Sequence, residues 1–277
     1  GDVYKRQCEI RTNFVRCFTQ TPMQEEKQPI HVSVDEILRA KAGAKARFVP
    51  RFLVNYLKKI VHEDEINEYL SQTAGITGVP WLKETVKYFD MQVTVEGEEN
   101  FPPDGDGLRY TFACNHPLGG PDGIAIGWEI GKRYGGKVKY ILNDILTNLP
   151  GLKPLCIPVN KTGAQSRRSP QMINEGFAGN DNIVMFPAGL CSRRHKGVIR
   201  DLPWTKTFIV KSVATHRDVV PMHFSGRNSD RFYRIARACE VLHSPINFAM
   251  LFLADETYRN RHKSFTLKIG KPIPWQT

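Results

Sequence analysis

From Met91 the chain alternates. Met91, Val93 and Val95 are apolar while Gln92, Thr94 and Glu96 are polar, the period of two expected of a strand with one buried face. Upstream of that point the apolar spacing is helical. Ser33-Val34-Asp35-Glu36 has the form of a capping box, and a helix is expected from there to about Arg47. A second is expected over Pro50 to His62, with proline at a tolerated first-turn position, a third over Glu63 to Gln72 and, after Gly75 and Gly78, a fourth over Trp81 to Phe89. Pro102 to Gly107 is turn-rich. Beyond it, strands near Tyr110–Cys114, Val138–Leu142, Leu155–Val159, Ile183–Phe186, Val219–Phe224 and Phe265–Ile269 alternate with helices near Gly123–Tyr134, Pro170–Ala178, Pro203–His216 and Ser229–Leu242. Such alternation predicts an α/β fold: a mixed sheet layered by helices, behind an N-terminal helical extension.

The organisation expected is a leader over residues 1–22, a helical, membrane-facing extension over 23–89 and the main domain over 90–277. Asp2-Val3-Tyr4-Lys5-Arg6-Gln7 has the look of a translated sequencing adapter, with Met23 as a start, so residues 1–22 are set aside as a non-native or disordered leader. The 277 residues, 41% hydrophobic, suffice for one large α/β domain. The net charge of +11, from 39 Lys and Arg against 28 Asp and Glu, favours anionic partners: nucleic acid, an anionic bilayer or phosphorylated molecules. Between Leu38 and His62 lie Arg39, Lys41, Lys45, Arg47, Arg51, Lys58 and Lys59 with no acidic residue, interleaved with Phe48, Phe52, Leu53 and Leu57. That combination suits contact with an anionic membrane surface; the alternative is a solvated basic face on helices packed against the core. The longest apolar run, Ile246 to Ala254, is far short of the roughly 20 residues needed to span a bilayer. Six cysteines without a CxxC pair give no zinc spacing, and Asp104-Gly105-Asp106-Gly107 reads as a turn rather than a calcium loop. A structural metal is therefore not expected.

The chemistry concentrates in two stretches. Asn115-His116-Pro117-Leu118-Gly119-Gly120-Pro121-Asp122-Gly123 sets an imidazole and a carboxylate on a Gly/Pro turn between a strand and a helix. A neutral imidazole accepts a proton near neutral pH, and a neighbouring carboxylate fixes its tautomer. With no serine nucleophile beside it, the pair suggests a base acting on a substrate hydroxyl. Asp122 as a plain helix cap is the structural alternative. The second stretch, Asn182-Ile183-Val184-Met185-Phe186, runs as a buried strand into Pro187-Ala188-Gly189-Leu190-Cys191-Ser192-Arg193-Arg194. Guanidinium forks there match the oxygens of a phosphate or carboxylate, though an exposed basic loop has the same composition.

Taken in order, these stretches resemble the glycerolipid (1-acylglycerol-3-phosphate) acyltransferase superfamily, with weaker support from Ile157-Pro158-Val159-Asn160-Lys161 and Val219-Val220-Pro221-Met222-His223. The resemblance covers about residues 90 to 275. The family's usual spacing is His-x4-Asp, whereas five residues separate His116 from Asp122, a form similar to the bacterial hemolysin-like branch that includes O-acyltransferases of amino-acid-containing lipids. Ala188 stands where the family usually has a Glu that helps form the acceptor site. The resemblance implies an O-acyltransferase without metal or cofactor, acting peripherally at the cytoplasmic membrane face. An acyl thioester on acyl carrier protein or coenzyme A would be the donor, and lysophosphatidate or a lyso-amino-acid lipid the acceptor. His116 and Asp122 would be catalytic, and Lys161, Gly189, Ser192, Arg193 and Arg194 would bind substrate. Attack is expected to be direct, so Cys114 and Cys191, which flank the motifs, carry no acyl group. Two other classes remain open: a nucleic-acid-binding protein, marked by steeply salt-dependent binding, and a non-catalytic lipid-binding relative, marked by absence of turnover.

Overall fold

The computed structural model describes residues 31–159, 169–242 and 248–277. The proposed leader and Lys161 lie outside them. Among the described residues four α-helices come first: α1 (Val34–Ala42), α2 (Arg51–Val61), α3 (Glu63–Gln72) and α4 (Val79–Tyr88). Next come β1 (Gln92–Glu96), β2 (Tyr110–Cys114), α5 (Pro121–Arg133), β3 (Val138–Asn143), β4 (Cys156–Val159), α6 (Ser169–Ala178) and β5 (Asn182–Met185). The chain then forms β6 (Arg193–His195), β7 (Val198–Arg200), α7 (Thr207–Ala214), β8 (Asp218–Phe224), α8 (Asp230–Val241), α9 (Phe252–Arg259) and β9 (Ser264–Ile269).

The expected mixed α/β sheet is present. Its order is β1-β9-β8-β2-β5-β3-β4, parallel throughout except where β9 runs antiparallel to β8. The central strands are covered on both faces, as parallel sheets require, and β2 and β5 are buried along their whole length. Alternation sends Phe112, Cys114 and Val184 into the larger core with Trp81, Leu82, Ile126 and Ile130 of α4 and α5. Ala113, Ile183 and Met185 face the other way, onto Phe177 of α6 and Phe208 of α7. The helix α5 lies close to β3 because Gly127 has no side chain: a Cβ there would sit 1.4 Å from the Tyr140 hydroxyl. Tyr69, Val79, Trp81, Leu82 and Phe89 share this core with the sheet, and residues 31–277 form one compact unit.

Several local expectations need correction. The first helix ends at Ala42 rather than near Arg47. Gly43, in the left-handed region at φ 55°, caps it, and a 3-10 turn over Gly43–Phe48 follows. Pro50 precedes the second helix as its N-cap instead of lying inside the first turn. The helix expected from Pro203 begins only at Thr207, because the preceding residues are tied elsewhere: Thr205 N–H donates to the Pro187 carbonyl at 3.1 Å. The basic loop is in part a hairpin, β6–β7, closed by Lys196 and Gly197 at φ 48° and 80°, the paired positive angles that two-residue hairpin turns need. The apolar run after Ile246 carries a helix, α9, that had no place in the expected list of elements.

In α2, Phe48 (just before it), Phe52, Leu53 and Tyr56 are exposed while Val54 and Ile60 are buried. Two of the described basic side chains of this region are ion-paired from outside it. Arg51 reaches Asp35 at 3.1 Å, and Lys58 reaches Asp35 at 2.7 Å and Glu63 at 3.1 Å. Among the described residues no helix is long and apolar enough to cross a membrane.

Candidate active site

The turn from β2 into α5 holds the site. Gly119 adopts φ 84°, a left-handed conformation that glycine takes without steric cost. This bend lets the carboxylate six residues after His116 fold back to the imidazole. His116 Nδ1 lies 3.0 Å from Asp122 Oδ2. Asp122 stands in the first turn of α5, fully buried, and accepts from the backbone N–H groups around it. Oδ2 takes Leu118 at 2.9 Å and Gly119 at 3.3 Å, and Oδ1 takes Gly120 at 3.1 Å and Gly123 at 2.9 Å. Burial by itself would push this carboxyl up. The facing imidazole and the amide donors outweigh it and hold the carboxyl below its ordinary value. Asp122 is therefore an anion that organises its turn as well as the partner of His116, so the capping and the orienting roles coincide in one side chain.

An ionised carboxylate only accepts, so Nδ1 of His116 carries the proton and Nε2 has the free lone pair. The ring stacks on Phe186 at 4.1 Å between centroids, and 18% of the side chain stays exposed. Phe186 directly follows β5, the strand that brings in the second motif, and the two motifs are joined through backbone: Ser192 N–H donates to the His116 carbonyl at 2.8 Å. Gly189 turns at φ 69°, exposed, its N–H donating to the Phe186 carbonyl at 2.9 Å. Ala188 is buried.

The two arginines behave differently. Arg193 points inward. It is buried, its Nη1 donates to the Cys191 carbonyl at 2.7 Å, and it lies over the Phe232 ring at 5.6 Å. Arg194 is half-exposed, lies over Tyr233 at 5.0 Å and pairs with Asp230. Neither Cys114 nor Cys191 is poised as a thiolate. Burial pushes both thiols up, with Arg193 partly opposing it at Cys191.

Three residues with no role in the sequence pattern hold the site together. Asp201 accepts the His116 N–H at 3.3 and 3.2 Å, the Ser192 hydroxyl at 2.5 Å and the Trp204 indole N–H at 3.1 Å. Asn115 pairs like a strand residue with Phe224 at the end of β8, donating to its carbonyl at 2.9 Å and accepting its N–H at 2.7 Å. Asn228, buried, donates to the Leu118 carbonyl at 3.1 Å. Each bond to the His116 turn spans a long stretch of sequence, from 85 residues for Asp201 to 110 for Asn228. The only local hint was a polar residue beside a turn.

A model of the acyltransferase family matches residues 36–276. Two lyso-glycine lipid O-acyltransferases, from Phocaeicola vulgatus and Bacteroides thetaiotaomicron, are each 55% identical to this chain over 246 residues. Those alignments cover 89% of this chain and 87% and 89% of the two relatives. Among solved structures, the 1-acyl-sn-glycerophosphate acyltransferase PlsC of Thermotoga maritima is similar over 87% of this chain and 86% of its own, at 17% identity and a TM-score of 0.44.

Proposed function

This chain belongs to the glycerolipid acyltransferase superfamily, and we propose that it moves a fatty acyl group from a thioester to the hydroxyl of a lysolipid of the glycine class. One observation carries the chemistry: a solvent-reachable imidazole 3.0 Å from a buried carboxylate held in its anionic form. Nε2 of His116 takes the acceptor's hydroxyl proton as the oxygen attacks the thioester carbonyl carbon. The tetrahedral intermediate then collapses, the carbon–sulfur bond breaks, and the imidazolium returns its proton to the leaving sulfur. Asp122 stays ionised throughout and stabilises the imidazolium. A thioester is already activated, so the scheme uses no metal. The high-lying thiols of Cys114 and Cys191 support direct transfer over an acyl-cysteine route. Acyl carrier protein or coenzyme A serves as the donor's carrier.

The acceptor assignment draws on the names of the relatives and on Ala188, which leaves the second motif without the carboxylate usual in the wider family. The protein would meet its lipid at an anionic membrane surface through the exposed Phe48, Phe52 and Leu53, with Arg39, Arg47 and Lys59 exposed around them. The test is expression in a host devoid of its own lysolipid O-acyltransferase. Lipid extracts are expected to contain the O-acylated glycine lipid with the wild-type chain and not with His116→Ala. Equal product from both would overturn the mechanism, and product from neither would overturn the function.

A further inference from the structure

The segment that leaves β8 is fastened along the turn that carries His116. Asn115 brackets its first end at Phe224, and Asn228 holds the Leu118 carbonyl at its other end. Between them, Gly226 packs so closely that an added Cβ would lie 3.3 Å from the Leu118 side chain. Arg227 belongs to this segment and stands outside both chemical motifs. Its guanidinium and that of Arg194, which comes from β6 two residues after the His116-bound Ser192, converge on one atom: Oδ1 of Asp230. A single carboxylate cannot neutralise two guanidiniums, so the cluster keeps a net positive charge beside the His116 turn. It also keeps most of its ten N–H donors available. Arg194, over the Tyr233 ring, is held in place, and the side chains of Arg227 and Asp230 are 56% and 61% exposed. Nothing about Asp230 is sealed in, and an incoming anion can take its position.

We propose that Arg194 and Arg227 form a carboxylate-binding site for the acceptor's headgroup, with Asp230 as its resident competitor. The inference rests on the lysolipid function proposed above and specifies its substrate. Glycine offers a lipid two points of attachment. Linked through its carboxyl it keeps a free ammonium, which two guanidiniums repel. Linked through its nitrogen it keeps a free carboxylate, whose two oxygens match the planar forks. The site therefore selects an N-acylated glycine. Glycine has no hydroxyl of its own, so the hydroxyl that receives the new acyl group is on the chain attached to nitrogen.

The experiment compares a short-chain N-(hydroxyacyl)glycine with its methyl ester, using one thioester donor. Wild-type protein is expected to show a KM for the acid about tenfold below that for the ester, the size of a charge-assisted bidentate contact. In Arg227→Ala that ratio should fall towards one, with the donor's KM unmoved. Asp230→Asn removes the competitor and should lower the acid's KM severalfold. A rise in the donor's KM in Arg227→Ala would assign the cluster to donor phosphates instead and overturn the proposal. So would a preserved acid-to-ester ratio, or a raised acid KM in Asp230→Asn. Equilibrium binding of the acid to His116→Ala protein, with and without Arg227→Ala, gives a readout independent of turnover. If binding depends on Arg227 but no acyl transfer occurs in the wild-type chain, the site stands and the catalytic proposal falls.

Discussion

Replacing Asp122 with Asn changes one atom in kind in a side chain that takes part in five hydrogen bonds. Oδ2 serves His116 and the amides of Leu118 and Gly119, and Oδ1 serves the amides of Gly120 and Gly123. An amide group put in either position turns a donor towards two backbone N–H groups, of which Leu118 is buried and the glycines are half-buried. A donor left unpaired costs up to about 1–3 kcal/mol, less where water reaches it, so the loss of stability should be at most roughly 2–6 kcal/mol. That is a large share of the ~5–15 kcal/mol typical of a native protein. If the amide nitrogen takes the Oδ2 position, Nδ1 of His116 must become an acceptor. The ring proton then sits on Nε2, where the base's lone pair is needed, and turnover should fall by about 10²–10⁴. Thermal melts and turnover on a water-soluble acceptor, measured on one preparation at low temperature, separate the two effects. The sign of the pH dependence follows from the lowered carboxyl. Its contribution is present above the reference value of 3.8 and is lost as pH falls through the still lower folded value. The gap in melting temperature between wild type and variant should therefore close in acid. A folded Asp122→Asn protein with wild-type turnover, or a melting gap that does not change with pH, would refute the reasoning.

Three further outcomes are expected. Asp201→Asn should lower turnover by about tenfold or more with little change in acceptor KM, because every group at its carboxylate except the Ser192 hydroxyl is an obligate donor; Asp201→Glu should recover part of the rate, and unchanged kinetics in Asp201→Asn would remove its positioning role. Cys114→Ala and Cys191→Ala should keep their turnover, and trapping an acylated cysteine by mass spectrometry during steady state would contradict direct transfer. Phe48→Ser, Phe52→Ser and Leu53→Ser combined should weaken flotation with phosphatidylglycerol-containing vesicles while a soluble acceptor is still acylated, and unchanged flotation would mean that this region does not seat the protein on lipid.

The parts of the fold legible in the sequence were those with local causes. The alternation at Met91–Glu96 and the apolar runs of β2 and β5 carry their own periods. Ser33 caps α1 as its position suggests, its Oγ accepting the Glu36 N–H at 3.3 Å. The His116–Asp122 pair was legible because both residues sit on one turn. Sheet order was not, since strand neighbours such as β1 and β9 are far apart in the chain. Nor was the delayed start of α7, which depends on contacts made by Asp201 and Thr205 with distant loops. Arg193 and Arg194 are adjacent and chemically identical, yet one turns inward to Cys191 and the other outward to Asp230. That division follows from the β6–β7 hairpin, which composition alone had presented as a basic loop.

The position of β9 bears on how the chain is made. It is the last of the sheet's strands to leave the ribosome, and it lies between β8 and β1. Everything from β8 to β4 is parallel and can assemble without it. β1 cannot, since β9 is its neighbour in the sheet. At about 5–20 residues per second, the nascent chain spends roughly 10 to 30 s between exposing β1 and supplying its partner. Throughout that interval β1 offers one apolar face and two open edges, and late in it β8, once made, adds one more, the arrangement that recruits foreign strands. The last strand thus acts as a seal. Translation that stops before Ser264 would release a chain whose parallel core is complete but whose sticky edges are bare. Such a fragment belongs to chaperones or aggregates rather than to the pool of folded protein.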